Sequence, residues 1–154
     1  MQEYKWDGKI YEYGSAILKQ KTELVINDKQ LRLNLVEILK SALYLNSKMQ
    51  GLALPQLGIP LKGIMCISNG KQMFMFNPII TKQSKIIRVS NESCLSVKGR
   101  YYVKRPEYIN VVYEDIEGRK QIIKETYPHS RIICHEIDHL NGICLPDIGS
   151  PTDK

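Results

Sequence analysis

The segment Cys134–Gly142, CHEIDHLNG, places His135, Glu136 and His139 within about one helical turn. Two histidines four residues apart on a helix share a face, so both imidazoles can reach one metal ion. A catalytic site of this kind takes three protein ligands and keeps one position open for water, so the chemistry turns on the third ligand. The metzincin pattern continues H-E-x-x-H-x-x-G-x-x-H, and this chain follows it through Gly142 before placing Leu145 where the third histidine belongs. A thermolysin-like site takes a downstream glutamate, and no glutamate follows His139. The third ligand must come from upstream or be a cysteine.

Four thiols compete for the role. Cys66 sits in the apolar run GIMCIS, where a small buried thiol is the simplest reading. Cys134 precedes His135, so its side chain is turned about 100° from the ligand face. Cys144 lies just past the helix and can fold back toward it. Cys94 lies in NESCLSV, read as a polar turn before a short strand and free to present its sulfur. Spacing puts Cys94 ahead of Cys144 and leaves both open.

The elements that must carry these residues are legible in outline. From Asn27 or Asp28 a helix runs to about Lys48, with Leu31, Leu35, Ile38, Leu39, Ala42 and Met49 on a 3.6-residue repeat. GLALPQLGIP, rich in glycine and proline, ends it. GIMCIS, QMFMFNP, SKIIRVS and YINVVYED read as strands, and a turn at Glu117–Gly118 returns the chain through QIIKE. A last helix spans about Pro128 to Asn141, with Gly142 suited to the left-handed position beyond it. The fold class is α+β: one long helix, mostly antiparallel strands, and a C-terminal helix carrying the histidines.

The chain of 154 residues is one domain's worth of sequence. Its expected organisation is a single catalytic domain over 1–154, with 1–13 as an irregular arm and no clear period before residue 27. No segment approaches the roughly 18 consecutive apolar residues of a membrane span, and the N-terminus carries no apolar signal region. The expected location is the cytoplasm, and the thiols are expected to be reduced. Lysine and arginine total 22 against 16 acidic residues, a net charge of +6. The cations are scattered among acids, so the reading is a solvated surface with no specific nucleic acid and no membrane partner.

Three segments in order resemble the peptide deformylase family, which carries G-x-G-φ-A-A-x-Q, E-G-C-φ-S and H-E-x-x-H. Here they read MQGLALPQ (49–56), ESCLS (92–96) and HEIDH (135–139). The resemblance covers roughly residues 14–147, with Met49, Leu54 and Ser93 departing from the family's small residues and Cys134 from the glutamine common before the helix motif. It implies Cys94, His135 and His139 as ligands of one divalent metal: Fe2+ physiologically, with Zn2+, Ni2+ or Co2+ able to replace it. It implies Glu136 as general acid/base, with Gln56 and the Leu95 backbone N–H as oxyanion donors. Gly51, Gln50 and Ser93 would bind an extended peptide through backbone hydrogen bonds, as in strand addition. Ile132 would border the methionine pocket and Arg100 would contact the peptide.

The implied activity is hydrolysis of the N-formyl group from the initiator methionine of nascent chains. The implied partners are N-formyl-methionyl peptides, with a transient ribosome contact left open. An unactivated formamide resists hydrolysis, so water must be activated, the oxyanion stabilised and the leaving amine protonated. Arg100 and Arg105 are each read as contacting the peptide backbone, pairing with Glu92 or lying in solvent, and Arg131 as a charge beside the methionine pocket. Two other classes stay open: an inactive deformylase-like binding protein, and an H-E-x-x-H metallopeptidase completed by Cys144 or Asp147.

Overall fold

The computed structural model describes residues 3–152. Helix α1 spans Ala16–Lys19 and α2 spans Lys29–Leu45. Asp28 caps α2, its carboxylate accepting from the Leu31 N–H at 3.0 Å and so satisfying a backbone donor that the helix itself cannot. Leu31, Leu35, Ile38, Leu39 and Ala42 of the predicted stripe are buried in the core, each large side chain contributing roughly 1.5–3 kcal/mol. The helix stops at Leu45, short of the expected Lys48, and leaves Met49 beyond it and half-buried. The same helix carries an arginine that the pattern does not announce. Arg32 is fully buried, and its guanidinium donates to the carbonyls of Val25, Ile26 and Asp115 and to Glu114. Its charge is tolerated there because the donors find acceptors.

The strands form two antiparallel sheets. In the first, β1 (Gly51–Ala53), β2 (Gly63–Ser68), β3 (Lys71–Gln83), β6 (Tyr108–Glu114) and β7 (Lys120–Thr126) lie in that spatial order. In the second, β5 (Val97–Pro106) lies between β4 (Ile87–Cys94) and β8 (Ser150–Pro151). Helix α3 spans His129–Leu140, and a single turn, α4, spans Leu145–Ile148.

The larger sheet is a partition with a core on each side, and the strand period of two explains how. Leu52, Met65 and Phe76 point to the α2 side, where they join Leu35, Leu39 and Ala42. Ala53, Ile64 and Met75, each one position along, point to the other side and meet Ile133, Ile137 and Leu140 of α3. Gly51 pairs with Cys66, which puts it on the α3 side. A Cβ at Gly51 would lie 2.5 Å from Glu136 Oε2, so glycine leaves the room that the glutamate occupies.

Helix α3 ends as its sequence predicts: Gly142 takes φ of +75° after Asn141, and its missing side chain lets the turn approach the Lys19 carbonyl. Pro128, expected in the first turn, is the N-cap, joined to Tyr127 by a cis peptide.

Three elements differ from expectation. VKGRYYVKRP forms strand β5, which a sequence of alternating cations and aromatics conceals. NESC is the end of β4 rather than a turn, because it pairs with β5 in register from Ile87 to Ser93. The segment read as an irregular start contains α1, and Glu23 bridges to Leu61.

Candidate metal centre and pocket

Cys94 reaches the site through a defect in its strand. Along β4, Ser90 and Glu92 point inward, so Cys94, two further on, shares their face. The β4–β5 register then breaks between Ser93 and Cys94, a bulge of the kind that re-aims a side chain. Cys94 Sγ ends 3.4 Å from His139 Nε2. His135 stands one turn before His139, with ring centroids 5.2 Å apart. The ligating atoms of Cys94, His135 and His139 all lie within 4.8 Å of one another, so the sequence-predicted trio converges.

The competitors do not join it. Cys66 and Cys134 are buried among the apolar side chains between the large sheet and α3. Cys144 Sγ approaches the opposite ring nitrogen, Nδ1 of His139, at 3.8 Å. The Asp147 carboxylate accepts from the Cys144 N–H and from the Tyr13 hydroxyl, both at 2.8 Å.

A salt-bridged scaffold fixes His135. Its Nδ1 lies 3.0 Å from Glu92 Oε1, which leaves Nε2 to face the cluster and supplies the outer carboxylate typical of ligand histidines. Arg105 grips both Glu92 oxygens at 2.8 and 2.9 Å and reaches Asp138 Oδ2 at 2.7 Å. Of the three sequence readings for Arg105, pairing with Glu92 is the one found, which leaves the guanidinium neither solvated nor free for a peptide. Asp138 is the neighbour that sequence reasoning missed, and Glu92 was named there only as a partner for an arginine, not as the support of His135. The one available signal was a glutamate heading the ESCLS segment and an arginine inside a strand.

Burial pushes the Glu92 carboxyl up, but the hydrogen bonds from Arg105 and His135 outweigh it and hold the group at about 2. With its folded pKa below the unfolded value of 4.5, Glu92 stabilises the fold fully above about pH 4.5 and loses that contribution as pH falls toward 2. Replacing Arg105 by leucine is expected to cost about 3–5 kcal/mol, because it strands the buried Glu92 carboxylate. The urea midpoint at pH 7 measures this, and the deficit should shrink at pH 3.

The donor set suits a soft or borderline divalent cation. Burial pulls the His139 pKa down, assisted by the positive charge of His135 and Arg105, to about 3, so its ring is neutral and able to ligate. Burial also disfavours charge on His135, yet the Cys94 sulfur, Glu136 and Glu92 raise it to about 10, so the surroundings favour positive charge at that point. Glu136 adds an orphan: its Oε1 is buried without a hydrogen-bond partner. Burial pushes its carboxyl up to about 7, poised to take or give a proton near neutrality. These features fit a bound cation and a reacting water.

Gln56, which the bland reading would leave facing solvent, is 2 % exposed. Its Oε1 accepts from the Ala53 N–H at 3.0 Å, while Nε2 donates to Ser96 Oγ at 3.1 Å and to Cys94 Sγ at 3.4 Å. The N-terminal arm contributes as well: the Tyr11 N–H donates to the Gln56 carbonyl at 2.8 Å and the Tyr13 N–H to the Ser96 carbonyl at 2.7 Å.

Over the cluster opens a cavity of about 720 Å³. Gln50, Gly51 and Gln56 line it from the first motif, and Ser93, Cys94 and Leu95 from the second. Ile132, His135 and Glu136 of α3 complete it with Arg100, which holds Asn91 through its side-chain and backbone oxygens. His139 sits deeper, 1 % exposed.

The family model for polypeptide deformylase matches residues 8–154. Peptide deformylase 1 of Nostoc sp. strain PCC 7120 is 34% identical over 144 residues, covering 90% of this chain and 76% of that protein. Peptide deformylase 1 of Clostridium acetobutylicum is 35% identical over 141 residues, covering 90% and 91%. Among solved structures, a probable peptide deformylase from Synechococcus phage S-SSM7 superposes with a TM-score of 0.85 at 34% identity, covering 91% of this chain and 98% of that one. The Met-Ala-Ser-bound class I type b enzyme of Acinetobacter baumannii gives 0.83 at 28% identity, covering 90% and 96%. With the fold, the three motifs and these relatives in agreement, the chain belongs to the peptide deformylase family, metal-dependent hydrolases that remove the N-formyl group from nascent peptides.

Proposed function

We propose that residues 3–152 work as one catalytic domain that deformylates N-formyl-methionyl peptides, with Cys94, His135 and His139 holding one ferrous ion. The observation that carries this reading is the convergence of these three ligating atoms beside the unpartnered carboxylate of Glu136. A divalent ion held by these three residues would lower the pKa of water and act as a Lewis acid. One thiolate and two imidazoles suit iron, and zinc, nickel and cobalt fit the same donors.

The chain's own groups supply the rest. Glu136 takes the proton of the attacking water and passes it to the departing amine nitrogen, because an amide anion is too poor a leaving group to depart unprotonated. Gln56 Nε2, turning to the substrate the proton it otherwise gives Cys94 Sγ, and the Leu95 N–H donate to the oxygen on which negative charge collects. The Ala53 N–H and Ser96 Oγ hold the Gln56 amide in place beforehand. Gly51, Gln50 and Ser93 offer main-chain hydrogen bonds to the extended peptide, Arg100 lies beside it, and Ile132 bounds the methionine side chain.

Met-Ala-Ser in the Acinetobacter relative supports a peptide in this cavity. The cytoplasm, where nascent formylated chains emerge, is the proposed location. A transient contact with the ribosome is supported by the net charge of +6.

Formate release from formyl-Met-Ala-Ser, assayed without oxygen and with added ferrous ion or nickel, tests the reading. Turnover is expected, and chelation should remove it. No release in the loaded protein would leave a deformylase-like binding protein instead. Gln56→Ala should lower kcat by about 100-fold with metal content unchanged, as read by elemental analysis beside the same assay.

A further inference from the structure

The cavity over the cluster carries three cations from three different elements: Lys48 after α2, Arg100 on β5 and Arg131 on α3. Glu136 is its single carboxylate, and it lies buried at the floor. None of the three cations makes an ion pair among the described residues, whose salt bridges use Lys29, Arg32, Arg88, Arg105, Arg119 and His135.

Arg131 is the most constrained of them. It stands four residues before His135 on α3, so it shares that helix face one turn away. It is half-buried, whereas Lys48 and Arg100 are exposed. A half-buried guanidinium without a partner has lost part of its hydration and gains more from an arriving anion than a fully solvated one does.

We propose that Arg131, backed by Lys48 and Arg100, makes this site select formylated peptides with an acidic side chain at the second or third residue. The reach fits. Four residues of helix rise about 6 Å, and an extended peptide advances about 3.3 Å per residue. A peptide running along α3 from a formyl group at His135 would bring its second residue to the level of Arg131, with its third just beyond and within reach of the long guanidinium side chain. A lysine there meets three like charges and no acid to offset them.

The proposal rests on the deformylase reading, and its test separates the two. Peptides amidated at the C-terminus confine the negative charge to the side chain. Formyl-Met-Ala-Ser amide reports deformylation itself. Formyl-Met-Asp-Ser, formyl-Met-Ala-Asp and their lysine counterparts, all amidated, report the preference. At low salt the better acidic peptide should exceed its lysine counterpart roughly tenfold in kcat/KM, chiefly through KM, about 1.4 kcal/mol. The ratio should fall toward one at 1 M salt as screening sets in.

Arg131→Ile should remove most of the ratio, and Arg131→Glu should invert it. Calorimetric binding of the deformylated Met-Asp-Ser and Met-Lys-Ser amides reads the same preference without turnover, so inactivity would sink the deformylase reading alone. A wild-type ratio near one, a ratio indifferent to salt, or one that Arg131→Ile leaves intact would overturn the proposal.

Discussion

Replacing Glu136 by glutamine is expected to lower kcat for formyl-Met-Ala-Ser by about a thousandfold, with metal content and KM little changed. Glutamine preserves the side chain's shape in the space above Gly51 but can neither accept the water's proton nor deliver it to the amine. A loss below tenfold would show that another group moves the proton. The variant also has a stability signature opposite in sign. Burial raises the folded pKa of Glu136 from 4.5 to about 7, so this carboxyl favours the fold when protonated. That contribution is complete below about pH 4.5 and is lost as pH rises through about 7. With metal stripped by chelator, the glutamine variant should resist urea better than the parent above pH 7 and match it near pH 4.5. A group that costs stability while serving the reaction is what a functional site often retains.

Cys94→Ala is the second large effect. It removes the only ligand that does not come from α3, leaving two histidines on one helix face. Loss of outer hydrogen-bond partners alone typically weakens metal sites by 10- to 100-fold, so loss of a ligand should weaken this one by at least about 100-fold. Metal retained after dialysis, counted by elemental analysis, should fall from near one per chain to a small fraction. Stoichiometric metal in this variant would overturn Cys94 as the third ligand. The Gln56 amide would lose one of its two acceptors but keep Ser96, so the pocket wall should persist and the defect be confined to the metal.

The difference between what the sequence discloses and what it conceals follows the range of the interactions involved. The histidine pair, the apolar face of α2 and the Gly142 stop are local, governed by 3.6-residue periodicity and terminal chemistry, and each is found where expected. Cys94 was legible only as one of several thiols until the motif order singled it out, because its position depends on a bulge formed by pairing with β5. Strand β5 itself was hidden: Lys98, Arg100, Tyr102 and Lys104 face outward along it, while Val103 and Arg105 are buried. A buried arginine erases the apolar alternation by which such a strand is recognised. The Glu92–Arg105–Asp138 cluster joins positions up to 46 residues apart, and no local rule pairs them. The arm looked aperiodic because its backbone bonds at Tyr11 and Tyr13 go to Gln56 and Ser96 rather than to its own neighbours.

The three proposed ligands belong to different layers: Cys94 ends a strand of the smaller sheet, whereas both histidines ride a helix packed on the larger one. The centre thus straddles a seam, and Arg105 is its clasp, rooted in β5 and gripping Glu92 on one side and Asp138 on the other. Opening that seam by a few ångströms disassembles the centre while each half keeps its own hydrogen-bonded framework. Activity in this molecule is therefore a gauge of how two halves are held together, and it can vanish before either half has begun to unfold.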